Sequence, residues 1–106
     1  DYILTSTSRG DSYYLGTYDG HILSLDMETG KVKWQTELGV PLTHLAISEQ
    51  KVYGACSGGR IFALDVAKGK ILWHDHLGNT VISKPHVRAN HVHFITKNFN
   101  LYSYQN

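Results

Sequence analysis

The sequence contains one cysteine, Cys56, among 106 residues. A chain with a single thiol forms no internal disulfide and holds no thiolate-bound metal cluster, so neither can stabilise the fold. Apolar runs are also short, and none approaches the roughly 18 residues that a membrane-spanning helix needs. No signal peptide is visible at the amino terminus. The chain opens at Asp1 without a methionine, and we expect it to be a processed product or an excerpt of a longer protein.

The sequence also lacks a strong charge of either sign. Ten Lys and Arg residues oppose nine Asp and Glu residues, which leaves a net charge of +1. The basic residues are spread thinly and form no stripe, so nucleic-acid binding is not expected. The seven tyrosines fall inside strand patterns, where packing is the better interpretation. Hydrophobic content of 42% is typical of a globular fold and not of a disordered segment.

What the sequence does contain is a repeat. Trp34 and Trp73 lie 39 residues apart, and the glycine-rich segments before them share the same offset. Seven identities at this offset are Gly20 and Gly59, Asp26 and Asp65, Gly30 and Gly69, Lys31 and Lys70, Trp34 and Trp73, Leu38 and Leu77, and Gly39 and Gly78. A third copy follows at an offset of 40, where residues 101–104 align with residues 61–64.

Within each repeat the pattern predicts short strands. Runs rich in β-branched and aromatic residues alternate with turn residues, and no apolar stripe has the period of a helix. The predicted strands are 12–17, 21–26 and 31–37 in the first repeat, and 41–48, 51–56, 60–65 and 70–74 in the second. Asp19-Gly20 and Gly58-Gly59 predict two-residue hairpins of type I′, which require positive φ at both central residues. The loops 27–30 and 66–69 end in glycine, with Asp26 and Asp65 placed to accept hydrogen bonds from loop N–H groups.

The third strand of each repeat predicts the architecture. Ile22 and Ser24 point to one face of the sheet and Leu23 and Leu25 to the other, so both faces are largely apolar. A sheet with two apolar faces lies between two others. Four-stranded antiparallel sheets of about 40 residues, stacked face to face, are blades of a β-propeller. We therefore predict an all-β propeller segment of about 2.7 repeats, with blades at 1–39 and 40–78 and a partial blade at 79–106.

The repeat resembles a known family. The stretch from Asp19 to Trp34 joins a glycine turn, an aliphatic pair, Leu-Asp, a short loop ending Thr-Gly-Lys, and tryptophan. This closely resembles the pyrroloquinoline-quinone-like (PQQ-like) propeller repeat of quinoprotein dehydrogenases. Similar repeats occur in non-catalytic propellers such as the lipoprotein of the outer-membrane barrel-assembly machinery. The resemblance implies that Trp34 and Trp73 dock against the neighbouring repeat, and it favours a periplasmic or other extracytoplasmic location.

One turn departs from the family pattern. In the third repeat Phe99 stands where glycine is expected. Because a phenylalanine at positive φ is strained, we predict that the turn shifts so that Asn98 or Asn100 takes the left-handed conformation.

No catalytic constellation stands out, and neither an active site nor a cofactor is expected. In quinoprotein dehydrogenases a calcium ion, a catalytic aspartate and a vicinal disulfide accompany the quinone, and one cysteine cannot supply that disulfide. The histidines are the one chemical oddity. His74 and His76 share one face of a strand, as do His91 and His93, and two such pairs could bind zinc or copper. The alternative to a metal site is that these four histidines lie near strand ends, solvated and without partners. The repeat favours this alternative.

The functional hypotheses depend on how the propeller ring is closed. Known propellers have four to eight blades, so we expect the missing blades to come from other segments, from copies of this chain, or from a capping partner. The first hypothesis is a non-enzymatic scaffold for protein–protein interaction within a larger propeller. The second is a fragment of a quinoprotein or metal-dependent oxidoreductase. The third is a domain that senses a small ligand or a cell-wall component.

Overall fold

The computed structural model describes residues 2–105 as eleven strands in three sheets. The first sheet contains β1 (Ile3–Arg9), β2 (Ser12–Thr17), β3 (His21–Asp26) and β4 (Val32–Glu37). The second contains β5 (Leu42–Ile47), β6 (Lys51–Cys56), β7 (Arg60–Asp65) and β8 (Ile71–His76). The third contains β9 (His86–Val87), β10 (His91–Ile95) and β11 (Leu101–Gln105). No helix occurs among the residues described.

Each sheet is an antiparallel meander in which neighbouring strands are joined by short turns. The first strands of the sheets converge, because β5 contacts both β1 and β9. The all-β propeller architecture is therefore confirmed, and the three sheets form part of a ring. The bounds of β2, β3, β6 and β7 match the predicted strands, whereas β8 extends two residues beyond the predicted end at His74.

The second sheet is buried on both faces, as its sequence predicts. We call the face that points to the next sheet along the chain the forward face, and the opposite one the backward face. Val52, Phe62 and Leu64 on its backward face pack with Tyr14 and Ile22 of the first sheet. Its forward face packs against the third sheet, through Tyr53, Ala55, Ile61 and Ala63 on one side and Val81, Val92 and Phe94 on the other.

The hairpin turn at Asp19-Gly20 differs from the predicted type, whereas Gly58 and Gly59 both have the predicted positive φ, 89° and 90°. Gly20 has φ of 90°, but no other residue of its turn has positive φ, so Asp19-Gly20 is not a type I′ turn. Instead the Gly20 N–H donates to the Thr17 carbonyl at 3.2 Å, and glycine follows the two central residues. Gly59 occupies the same position, and a Cβ there would lie 2.2 Å from the Asn79 carbonyl oxygen. Glycine is needed because the chain crosses over the turn on its way to the next sheet.

The third turn also corrects the sequence prediction. Phe99 itself adopts φ of 65°, and neither Asn98 nor Asn100 takes a positive φ. The Phe99 N–H donates to the Thr96 carbonyl at 2.9 Å, which is the bond made by Gly20 in the first sheet. The buried Thr96 hydroxyl also bonds the Asn98 side chain and holds the turn in the common register. Phe99 is 85% exposed among the residues described.

The loops before the fourth strands are closed by aspartate and glycine. The Asp26 carboxylate accepts the N–H groups of Glu28 at 2.8 Å and Thr29 at 3.2 Å. These bonds lower the pKa of Asp26, with the Glu28 N–H as the largest cause. Gly30 and Gly69 both have φ of 73°, a left-handed conformation that glycine adopts without strain.

The first strand of the third sheet is interrupted. β9 has only two residues, and Val81 forms an isolated bridge to Thr96 before the strand begins. The buried Pro85 lies between these two pieces. Proline has no N–H to donate, so it breaks the strand at this edge position.

Candidate functional site

Trp34 joins the first sheet to the second. Its indole Nε1–H donates to the Val66 carbonyl at 2.9 Å. Its ring covers Gly69 so closely that a Cβ on this glycine would lie 2.3 Å from the ring. Thr36, two residues further along β4, donates its hydroxyl hydrogen to the Gly69 carbonyl. The outer strand of one repeat is therefore bound to the loop before the outer strand of the next.

Trp73 joins the second sheet to the third through aromatic contacts. Its ring stacks on Tyr104 with centroids 5.1 Å apart and planes inclined by 18°. Phe94 meets the same indole edge-on at 6.5 Å. The Tyr104 hydroxyl donates to the Asp75 carboxylate at 2.7 Å. This hydrogen bond is the largest cause that lowers the pKa of Asp75, while burial and the carboxylate raise the pKa of Tyr104.

The structure does not bring the two histidine pairs together. His74 and His76 pair with Phe62 and Arg60 of β7 and share their backward face. His91 and His93 alternate with buried residues of β10 and so lie on the forward face of the third sheet. The two pairs therefore face away from each other across two sheets. No group of three or more His, Cys, Asp or Glu residues between positions 2 and 105 could hold a metal ion.

A smaller imidazole cluster does form on the forward face of the third sheet. The ring centroids of His91 and His93 are 6.2 Å apart, and those of His86 and His93 are 6.5 Å apart. His21 and His44, to which the sequence assigned no function, lie elsewhere. His21 Nδ1 is 3.1 Å from the Asp19 carboxylate. Burial lowers the pKa of His44, and the Lys84 ammonium lowers it further.

The thiol of Cys56 is not placed for reaction. The side chain is buried in the core between the first two sheets. Burial raises the pKa of Cys56 to about 11, and this outweighs the opposing effect of Arg60. A thiol of such high pKa is almost entirely protonated at neutral pH and is a poor nucleophile.

A cleft lies at one end of the converging first strands. It has a volume of about 570 Å³ and is lined by the turns between the first and second strands of all three sheets. Arg9, Lys51 and Arg88 contribute three cationic side chains to its walls, and Glu49 contributes one carboxylate. Arg9 and Arg88 occupy equivalent positions, because each begins such a turn.

Further basic residues and histidines occur along the strands themselves. Residues 3–9, 42–47 and 81–88 include Arg9, His44, Lys84, His86 and Arg88, and these three described stretches contain no Asp or Glu. Sequence reasoning missed this arrangement, since the charge of the chain as a whole is nearly balanced. The detectable signal was the lack of acidic residues in the first strand of each repeat.

Comparison with solved structures places the fold among propellers. BamB from Moraxella catarrhalis superposes with a TM-score of 0.83 at 24% identity, over 96% of this chain and 33% of that one. The computationally designed protein Ika8 gives 0.87 at 18% identity, over 95% and 32% of the two chains. Quinohemoprotein alcohol dehydrogenase from Comamonas testosteroni gives 0.70 at 17% identity, over 97% and 21%. The chain thus spans about a third or less of these structures, and the likeness shows the fold alone.

No curated protein sequence matches the chain significantly. Between residues 2 and 105 there is likewise no helix capable of crossing a bilayer. The sequence model of one family, described as outer membrane protein assembly factor BamB, matches residues 3–98. This match covers most of the chain and includes both tryptophan repeats. The chain therefore belongs to the family of PQQ-like propeller repeats whose sequence model is described as outer membrane protein assembly factor BamB.

Proposed function

We propose that this chain is a segment of a larger, non-enzymatic β-propeller that serves as a scaffold for protein–protein interaction. The observation that carries the proposal is the family match over residues 3–98, because the family is described as a protein assembly factor. A factor that assembles other proteins must bind them. Location outside the cytoplasm is part of the same proposal, since the description refers to outer membrane proteins.

The construction of the blades supports a scaffold. Trp34 and Trp73 each fasten one sheet to the next, which gives a rigid frame. The turns on this frame differ in sequence although each has a residue with positive φ at the same position, as Gly20, Gly59 and Phe99 demonstrate. Surface turns held by a rigid frame can change without loss of the fold, and binding residues concentrate in such turns.

The exposed apolar faces support a larger ring. On the backward face of the first sheet, Tyr13 is 46% exposed, and Leu15, Leu23 and Leu25 are only half-buried. On the forward face of the third sheet, Leu101 is 61% exposed and Ile95 is also open to solvent. Monomeric proteins rarely leave such contiguous apolar surface uncovered. Further blades, from other segments or from copies of this chain, would cover both faces.

The test compares partner capture with turnover in the complete protein that contains this chain. Photo-crosslinkers placed in turns, at Asn98 and Ser57, are expected to capture a defined protein partner. A crosslinker at Val32, on the outer strand β4, is the matched control and is expected to capture none.

The alternative class is tested on the same preparation. Protein reconstituted with pyrroloquinoline quinone and calcium, then dialysed, is expected to retain no quinone absorbance and to oxidise neither alcohols nor sugars. A stoichiometric quinone spectrum with turnover would replace the scaffold by an oxidoreductase. Cell fractionation with an antibody to the protein tests the proposed location, and recovery in the cytoplasmic fraction would contradict it.

A further inference from the structure

The loop before the outer strand of the first sheet has the same conformation as the loop that receives Trp34. Gly30 and Gly69 both have φ of 73°, and each donates its N–H to the carbonyl of the aspartate four residues before it, at 2.8 Å. Met27 and Val66 hold the same place in the two loops, directly after that aspartate. The first loop therefore repeats the backbone that binds an indole in the second.

The two loops differ in what covers them. The Trp34 ring lies 2.3 Å from the place that a Cβ on Gly69 would take, whereas nothing in the described structure lies within 4 Å of the same place at Gly30. The Val66 carbonyl accepts the indole N–H, but no donor among residues 2–105 bonds the Met27 carbonyl. Positive φ alone would account for the glycine at position 30. The inference rests instead on the open space and on the carbonyl without a donor.

We propose that the loop 27–30 binds a tryptophan from the outer strand of a further blade of the same polypeptide. This inference rests on the proposed function, in which other blades complete the ring, and it names the side chain that makes the joint. The indole N–H would donate to the Met27 carbonyl, and the ring would cover Gly30. The same blade would bury Tyr13, which is 46% exposed on the backward face of the first sheet.

The tryptophans of this chain are not available to the loop of a second copy. Trp34 is bonded to Val66 and Trp73 is stacked on Tyr104, so each already joins its own sheet to the next. The chain covers 33% of BamB and 32% of Ika8 in the structural matches. A single polypeptide of that size contains enough residues for further blades, and this favours a blade of the same polypeptide as the occupant.

The sheet that faces the incoming strand also restricts its sequence. Two residues after the first tryptophan, Thr36 donates its hydroxyl hydrogen to the loop glycine. Two residues after the second, Asp75 accepts a hydrogen bond from the Tyr104 hydroxyl. The position of Tyr104 is held by Leu25 in the first sheet, and leucine has no donor to offer a carboxylate. We therefore expect Thr or Ser, and not Asp, two residues after the incoming tryptophan, where its hydroxyl can donate to the Gly30 carbonyl.

Photo-crosslinking in the complete protein identifies the occupant of the loop. A diazirine amino acid in place of Met27 is expected to react with a peptide from outside residues 1–106 that contains tryptophan with Thr or Ser two residues later. The same amino acid in place of Val66 is the matched control and is expected to react with the peptide that contains Trp34. Mass spectrometry of mixed heavy and light protein distinguishes a crosslink within one polypeptide, which we expect, from one between copies.

Alanine substitution of three glycines with the same φ isolates the contact with the indole. Gly30, Gly69 and Gly78 all have φ of 73°, so alanine brings the same backbone strain to each. A Cβ at Gly78 meets no described atom within 4 Å, whereas one at Gly69 collides with Trp34. We expect Gly30→Ala to lower the melting temperature of the complete protein as much as Gly69→Ala does, and at least about 4 °C more than Gly78→Ala.

Four results would overturn the inference. A crosslink from position 27 to a peptide without tryptophan would do so, as would a crosslink between two copies. The third is a probe at position 27 that reacts with nothing while the probe at position 66 captures Trp34. The fourth is a loss of stability in Gly30→Ala no larger than that in Gly78→Ala. Tryptophan with aspartate two residues later would contradict the sequence expected from Leu25.

Partner capture by the crosslinkers at Asn98 and Ser57 is measured in parallel, which separates this inference from the proposed function. If the protein captures its partner but the loop 27–30 binds no tryptophan, this inference alone fails. An occupied loop without any partner capture contradicts the scaffold and leaves the joint between blades in place.

Discussion

The indole Nε1–H of Trp34 donates a hydrogen bond of 2.9 Å to the backbone carbonyl of Val66, 32 residues later in the chain. The donor belongs to the outer strand of the first sheet and the acceptor to the loop that precedes the outer strand of the second. This bond fixes the separation of two neighbouring blades at their periphery. It also explains why tryptophan suits position 34, since no other apolar side chain offers an N–H of this reach.

Trp34→Phe tests this bond. Phenylalanine retains an aromatic ring but leaves the Val66 carbonyl without its donor, so we expect a loss of about 1–3 kcal/mol in the free energy of unfolding. Urea denaturation of the purified protein measures the change. Val32→Ala, on the same strand and 52% exposed, is the control and is expected to change stability by less than about 0.5 kcal/mol. Equal effects of the two variants would contradict a bond between the blades.

Phe99→Asn should stabilise the protein. Phe99 is held at φ of 65°, where asparagine is tolerated better than a bulky aromatic residue. Relief of this strain is worth about 1 kcal/mol, and the exposed phenylalanine ring loses few contacts on removal. Thermal melting of the two proteins measures the difference. A lower melting temperature for Phe99→Asn would imply that the ring packs against another part of the complete protein.

Tyr104→Phe should change how stability depends on pH. The Tyr104 hydroxyl lowers the pKa of Asp75, so the ionised carboxylate stabilises the fold above its ordinary pKa of about 3.9. This contribution is lost as pH falls through the lowered pKa. The variant lacks most of it and should be less stable than the wild type near pH 7, with the gap narrowing in acid. Melting temperatures between about pH 7 and pH 2.5 test this, and a constant gap would contradict it.

Lys84→Gln should raise the pKa of His44. The Lys84 ammonium disfavours a second positive charge nearby, and its removal leaves only burial to lower this pKa. We expect the value to rise but to stay below the ordinary histidine value. NMR titration of the His44 ring measures it, with Lys97→Gln as a control. An unchanged pKa of His44 would mean that the Lys84 ammonium does not lie near the His44 ring.

Cys56 should resist thiol reagents in the folded protein. Its raised pKa, about 11, leaves little thiolate at pH 8, and the side chain is buried between two sheets. We expect slow labelling in native buffer and rapid labelling after unfolding in urea. Mass spectrometry identifies the labelled residue. Rapid labelling of Cys56 without denaturant would show that the first two sheets separate readily.

Much of the fold was accessible from the sequence because the signals were local. β6 ends and β7 begins at the Gly58-Gly59 turn, and the bounds of both strands match the prediction. The burial of both faces of the second sheet also follows from apolar residues at consecutive positions of β7. The third turn was predicted wrongly because only the strain of Phe99 at positive φ was considered, without the hydrogen bonds that hold the turn. The hydrogen bonds of Thr96, which fix the register, depend on its burial, and local propensity does not report that.

The candidate site was not accessible in the same way. Arg9 and Arg88 are almost 80 residues apart in sequence, and only the convergence of β1, β5 and β9 brings their turns to one cleft. The two histidine pairs do not meet, for a related reason. Each pair does share a face of its strand, but the orientation of one sheet relative to another decides whether two faces meet.

The close approach of Asn79 to Gly59 has an evolutionary consequence. Any side chain at Gly59 would collide with the crossing polypeptide, so a substitution there survives only if the connection to the following blade moves at the same time. Sequence variation among relatives should therefore be sparse at Gly59, and any change there should be accompanied by a change in the segment around Asn79.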